Sequence, residues 1–152
     1  MSLLINANLC SVPHASYVME KKFKRELNAL NEVFDFISDF ASAHQIAEPI
    51  RFAITLAIDE LFTNMVEHNP RGTGAVVIDM SRDGNSLIVT LMDSDAKPFD
   101  LTQARDPKID LPLEERQAGG LGIHLAKKMV DEIRYEYKDR QSKIILVKNL
   151  EK

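Results

Sequence analysis

The order in which hydrophobic periods change along the chain predicts an α+β fold. The expected form is a two-layer sandwich, with helices on one face of a mixed, mostly antiparallel sheet. Three observations carry that expectation. Two apolar stripes of helical period come first, a glycine-centred hairpin of period two follows, and a glycine-led helix with a second hairpin closes the chain. A length of 152 residues suits one hydrophobic core rather than two.

The elements follow in order. Residues 1–20 are an N-terminal extension or edge strand, with Leu3 to Leu9 as a short candidate strand, and the charged run Lys21 to Leu27 is an edge strand or a lead-in. From Leu30 the residues Leu30, Val33, Phe34, Ile37, Phe40 and Ala41 fall three and four apart, one stripe of a helix packed on the core. Pro49 suits the first turn of the next helix, where its missing N–H costs nothing. That helix carries the widest apolar face of the chain: Ile50, Ala53, Ile54, Ala57, Ile58, Leu61, Phe62, Met65 and Val66. It should end near His68, before the breakers Asn69-Pro70-Arg71-Gly72.

Ala75 to Met80 and Ser86 to Met92 then read as strands joined around Arg82-Asp83-Gly84-Asn85. Asp93 to Ala118 has little periodicity and holds Pro98, Pro107 and Pro112, a length of loop that compact domains tolerate mainly for function. Gly119-Gly120-Leu121-Gly122 opens a helix with Ile123, Ala126, Met129 and Val130 inward. Glu132 to Tyr137 and Lys143 to Lys148 form the closing hairpin around Lys138-Asp139-Arg140-Gln141.

Composition narrows the functional classes. Lys plus Arg number 19 against 23 Asp plus Glu, a net charge of −4, whereas a protein that tracks phosphate backbones carries a basic excess. Direct nucleic-acid binding is therefore not expected. The one cysteine, Cys10, cannot form an internal disulfide, which fits a reducing cytoplasm. The longest apolar stretch, Ile50 to Phe62, is interrupted by Arg51, Thr55, Asp59 and Glu60, and no secretory pattern opens the chain. The expectation is a soluble, cytoplasmic protein with no membrane association.

Chemistry concentrates in three segments. Glu60, Asn64 and His68 are spaced by four, so they stack in one row on the second helix. The plain reading is a solvated stripe. The functional one sets a carboxylate, able to align or deprotonate a nucleophile, beside an amide oxygen suited to a hard cation such as Mg²⁺. Gly119, Gly120 and Gly122 bare backbone N–H groups at a helix start, an anion site or simply a hinge, and the sequence there is not a Walker loop. Asp93 to Asp100 follows a strand end. A carboxylate placed there can accept from the exocyclic amine of a purine, or can belong to a plain acidic turn. His14, His44, His68 and His124 are scattered, with no zinc spacing and no nucleophile elbow.

In this order the three segments resemble the ATP-binding domain shared by gyrase, histidine kinases and MutL, the GHKL superfamily with its Bergerat-type fold. More narrowly, the chain is similar to bacterial anti-sigma-factor serine/threonine kinases. The best-matched stretches are Ala57 to His68, Pro112 to Ile123 and Met129 to Ile133, and the likeness covers roughly residues 21–150. The resemblance implies ATP and Mg as cofactors, with Asn64 as the Mg²⁺ ligand and Glu60 as the catalytic base. It puts His68, Asp93, Gly119, Gly120, Leu121 and Gly122 around the nucleotide, and a lid at about Leu101 to Ala118. Asp93 takes the adenine-contacting place when the strand is counted forward. Asp95 then stands where the family has glycine; counting back from Pro98-Phe99 puts Ser94 and Ala96 at those two places instead.

The implied activity is transfer of the γ-phosphoryl group of ATP to a Ser or Thr of a STAS-domain antagonist, by a protein that also binds a sigma factor. The alternative is a non-catalytic or weakly nucleotide-binding module that sequesters a sigma factor or another regulator, which the altered segment Asp93 to Ala96 favours. The catalytic half of a histidine kinase fits less well, since neither His14 nor His44 sits in a dimerising helical hairpin. Homodimerisation through the N-terminal strands is implied by the resemblance alone.

Overall fold

In the computed structural model, which describes residues 17–98 and 120–151, the expected sequence of periods becomes one sheet backed by helices. Strand β1 spans Val18–Phe23, helices α1 and α2 span Leu30–Ala43 and Glu48–His68, and the first hairpin pairs β2 (Val76–Asp83) with β3 (Ser86–Asp93). Helix α3 (Gly120–Met129) precedes the second hairpin, β4 (Glu132–Lys138) and β5 (Gln141–Asn149). The spatial order is β1-β2-β3-β5-β4, and every pairing among these strands is antiparallel. The candidate strand Leu3 to Leu9 and the loop Phe99 to Gly119 lie outside the described residues.

Each element forms for the reason its sequence advertises. Pro49 lies in the first turn of α2, and all of the predicted apolar face is buried except Val66, which packs against the rim of the core. The α1 stripe is wider than its spacing suggests. Phe36 is also buried, its ring edge-on to Phe23 with centroids 5.7 Å apart. Both hairpins close through two-residue turns, Gly84-Asn85 and Asp139-Arg140. In the second, Asp139 and Arg140 both take left-handed backbone, with φ of 52° and 65°, the conformation that lets a two-residue turn follow the twist of its strands.

Period two decides which side chains reach the helices. Val76, Ile78 and Met80 of β2, Leu87, Val89 and Leu91 of β3, and Ile144 and Leu146 of β5 share one cluster with the buried faces of all three helices. The strand phase continues one step beyond that apolar block. Phe23 pairs with Val76, Val76 with Asp93, Asp93 with Ser142 and Ser142 with Tyr137. Five strands thus contribute to a last rung in which apolar side chains give way to a buried carboxylate and a buried hydroxyl.

The rung depends on Phe62 of α2, which is fully buried and lies edge-to-face on Phe23 at 6.5 Å between centroids. Phe62→Ala should lower stability by about 3–5 kcal/mol, read as a shift of the urea unfolding midpoint.

Candidate functional site

The long helix and the last rung of the sheet face each other across a cavity of about 250 Å³. From α2 come Leu61, Asn64, Met65 and His68, with Asn69 just beyond its end. The sheet contributes Asp93, Tyr135, Ser142 and Ile144, and the segment after β3 contributes Ala96, Lys97 and Pro98. Both walls are mixed: α2 and its end bring two side-chain amides and an imidazole beside Leu61 and Met65, and the sheet brings a carboxylate and a hydroxyl beside Ile144, the combination expected of a site for a small polar ligand with a flat apolar part.

Three of the sequence-predicted residues, Asn64, His68 and Asp93, therefore meet in one place. Asn64 and His68 do so because four-residue spacing keeps them in register along α2. Asp93 does so because inward phase on β3 carries on from Leu87, Val89 and Leu91. His68 is exposed at the mouth, while Asp93 retains only 2% of its surface.

A carboxylate that deeply buried requires a partner, and Arg25 supplies it. Its Nη1 donates to Asp93 Oδ2 at 2.9 Å, and its Nη2 donates to Oδ1. The same guanidinium donates through Nε to the carbonyl of Gly74 at 3.1 Å and through Nη1 to the carbonyl of Met65 at 3.1 Å. One side chain thus ties the exit of β1 to the last turns of α2, to the α2–β2 loop and to the end of β3. Gly72 is required beside it: a Cβ there would stand 2.7 Å from Arg25 Nε.

The position where a glycine was expected holds Asp95, and its side chain turns away from the cavity. Asp95 Oδ2 accepts from the backbone N–H of Thr73 at 3.0 Å and Oδ1 accepts from Arg140 Nη2 at 2.6 Å. The Arg140 hydrogen bond, followed by that of Thr73, holds the Asp95 carboxyl below the usual aspartate range. The backbone of Asp95 is not left-handed, so glycine is not needed there. Around it, the Ala96 N–H donates to the Arg140 carbonyl at 2.8 Å, Tyr137 donates to the Ala96 carbonyl at 3.1 Å, and the Asn69 amide donates to the Asp95 carbonyl. The segment that departs from the expected pattern is thereby clamped between the end of α2 and the β4–β5 turn.

Glu60 lies one turn before Asn64, outside the cavity lining, where α2 meets the beginning of α3. A Cβ built on Gly122 would fall on the Glu60 carboxylate and stand 2.9 Å from its Cδ, so glycine at this point is what lets the two helices bring a carboxylate against α3. Burial, reinforced by the neighbouring Asp59 and Glu67 carboxylates, raises the Glu60 pKa above the ordinary glutamate value. Gly120 is the first residue of α3 and Leu121 follows it, while Gly119 and the expected lid lie outside the described residues. Among the described residues, no three His, Cys, Asp or Glu side chains gather as a metal cage.

Sequence reasoning missed Arg25, Ser142 and Tyr135. Arg25 is hidden in the charged run Lys21 to Leu27, read as an edge strand or a lead-in, yet it shares the phase of buried Phe23 two residues earlier. Ser142 likewise keeps the inward phase of Ile144 and Leu146, and Tyr135 lies opposite Ile144 in the β4–β5 ladder. Period two gives the inward phase of each, but only the order of strands in the sheet brings those phases to one site.

Comparison with known proteins agrees with this arrangement. A family profile described as the histidine kinase-like ATPase domain matches residues 23–148. The serine/threonine-protein kinase BtrW of Bordetella bronchiseptica is 28% identical over 92 residues, which cover 59% of this chain and 64% of that protein. Among solved structures, the RsbU and RsbW domains of a Mycobacterium tuberculosis protein superpose with a TM-score of 0.65 at 17% identity, over 88% of this chain and 32% of that one. The SiaB–SiaC complex of Pseudomonas aeruginosa gives 0.62 at 14% identity, over 85% of this chain and 88% of that one. Both likenesses are to the fold. No helix among the described residues is long and apolar enough to cross a membrane.

Because its folded pKa is raised, Glu60 contributes stability that is complete below the ordinary glutamate range and is lost as pH rises through its folded value. Gly122→Ala should push the carboxylate off α3 into solvent. Its pKa, followed by carboxylate ¹³C NMR, should fall back toward the ordinary value, leaving only the part due to Asp59 and Glu67. Over-packing at that contact should also cost about 1–3 kcal/mol in urea unfolding.

Proposed function

The chain belongs to the histidine kinase-like ATPase domain family, and from that premise we propose that it is an ATP-dependent serine/threonine protein kinase acting as an anti-sigma factor. Its protein substrate is a STAS-domain antagonist, and its second partner a sigma factor that is held when the antagonist is not. The observation that carries this reading is the placement of Asn64 and Asp93 on opposite walls of one cavity, with Glu60, one turn before Asn64 on α2, against Gly122 of α3. The kinase named among the relatives supports the reaction type.

The donor set fits a nucleotide-borne magnesium. Mg²⁺ keeps most of its waters and takes few protein ligands besides phosphate oxygens, and Asn64 offers one neutral oxygen where no carboxylate cage exists among the described residues. When bound, the ion neutralises phosphate charge, the main electrostatic demand of phosphoryl transfer. The protein's own residues do the rest. Asp93 and Ser142 hold the base end between the apolar side chains of Leu61 and Met65 on one side and Ile144 on the other. Backbone N–H groups at the start of α3 face the phosphates, with the positive end of the helix dipole behind them. Glu60 takes the proton of the attacking Ser or Thr hydroxyl as its oxygen bonds to the γ-phosphorus and the bond to the β-phosphate oxygen breaks, releasing ADP. A carboxylate with a raised pKa is the better base for that step.

A sequestering module with little or no catalysis is the second reading. Its support is that both Asp93 oxygens are already engaged by Arg25, which leaves less acceptor capacity for a base. Incubation with millimolar Mg-ATP followed by native mass spectrometry separates the two: a chain that stays empty is a binding module. For the kinase, Asn64→Ala should abolish magnesium-dependent ATP binding in calorimetric titrations with and without Mg²⁺. Unchanged affinity in that variant would remove Asn64 from the mechanism.

A further inference from the structure

Arg25 does not line the cavity, yet Asp93 does. The guanidinium grips the carboxylate from behind and is itself fixed by the carbonyls of Met65 and Gly74, with its side chain only 4% exposed. Four anchored hydrogen bonds leave it no freedom to turn. An ionised carboxylate accepts at about four lone-pair positions and donates at none. Among the described residues, Oδ1 receives Arg25 Nη2 and the backbone N–H of Asp95 at 3.1 Å, and Oδ2 receives only Arg25 Nη1. One acceptor position therefore remains, on Oδ2.

From this geometry we infer that Arg25 is a positioning residue for base recognition: it sets Asp93 as a fixed, acceptor-only group, so that the site takes 6-aminopurine nucleotides in preference to 6-oxopurine ones. A 6-amino group donates to the remaining position on Oδ2. A 6-oxo group brings a second acceptor against a buried negative charge that has no freedom to withdraw. The inference rests on the nucleotide-binding reading and deepens it, because it assigns base selectivity to a residue one layer behind the ligand. Arginine is required in that layer. A lysine carries the same charge but is a point donor, without the planar fork that holds both carboxylate oxygens and two carbonyls at once.

The test is a set of calorimetric titrations of the full chain with Mg-ATP and with Mg-ITP, whose bases differ at the 6 position. The wild-type protein should prefer ATP by at least about tenfold, the worth of one hydrogen bond to a charged group. Arg25→Lys should bring the two affinities to within about twofold of each other, chiefly by weakening ATP. Equal affinity for ATP and ITP in the wild type would overturn the inference while leaving nucleotide binding intact. Equal weakening of both nucleotides in Arg25→Lys, with the preference unchanged, would overturn it in favour of a merely structural arginine. If Arg25→Lys shows no cooperative melting, Arg25→Gln replaces it; failure of both to fold would likewise assign Arg25 to structure alone. Binding of neither nucleotide by the wild type would instead sink the ATP reading itself, and this inference with it.

Discussion

The buried ion pair between Arg25 and Asp93 is the constraint around which the rest of the site is arranged. A carboxylate on the inward face of a strand is too costly to leave without compensation, and a guanidinium is too costly to bury without acceptors. Each is satisfied only because four separate segments converge: the exit of β1, the last turns of α2, the loop through Gly72 and Gly74, and the end of β3. Removing one partner of such a pair typically costs about 3–5 kcal/mol, although the pair as a whole need not stabilise the fold relative to an apolar one. Its contribution here is geometric. It holds the polar end of the last rung beside the helix that carries Asn64.

The second constraint is steric. Glu60 can touch α3 only because residue 122 has no side chain. The departure from the family pattern at Asp95 is accommodated by different means. Its carboxylate is drawn outward by Arg140, and Arg140 is delivered by a two-residue turn in left-handed backbone. A residue that would have obstructed the cavity thereby becomes a strut outside it, fastening the β4–β5 turn to the α2–β2 loop.

Much of the site was legible in the sequence where the reasoning was local. The row Glu60, Asn64, His68 follows from helical spacing, and the inward direction of Asp93 follows from the alternation of β3. The same logic reached the ends of α2 through Pro49 and Asn69-Pro70, and placed both hairpins within three residues of where they form. Arg25 was not legible in that way, since nothing in a short charged run says which of its members turns inward. Ser142 and Tyr135 were hidden for a different reason: nothing local indicates which strand β5 will join.

What the sequence determined by itself was the set of elements, their order and their buried faces, because periods of 3.6 and 2 are fixed by bonds to neighbours a few residues away. Tertiary structure decided that β5 inserts between β3 and β4, so that Asp93 meets Ser142 across a ladder. It also decided that the guanidinium of Arg25 finds a carboxylate far along the chain. Such meetings depend on which loops close and which faces compete for the same core, and no repeat within a short stretch of chain encodes them.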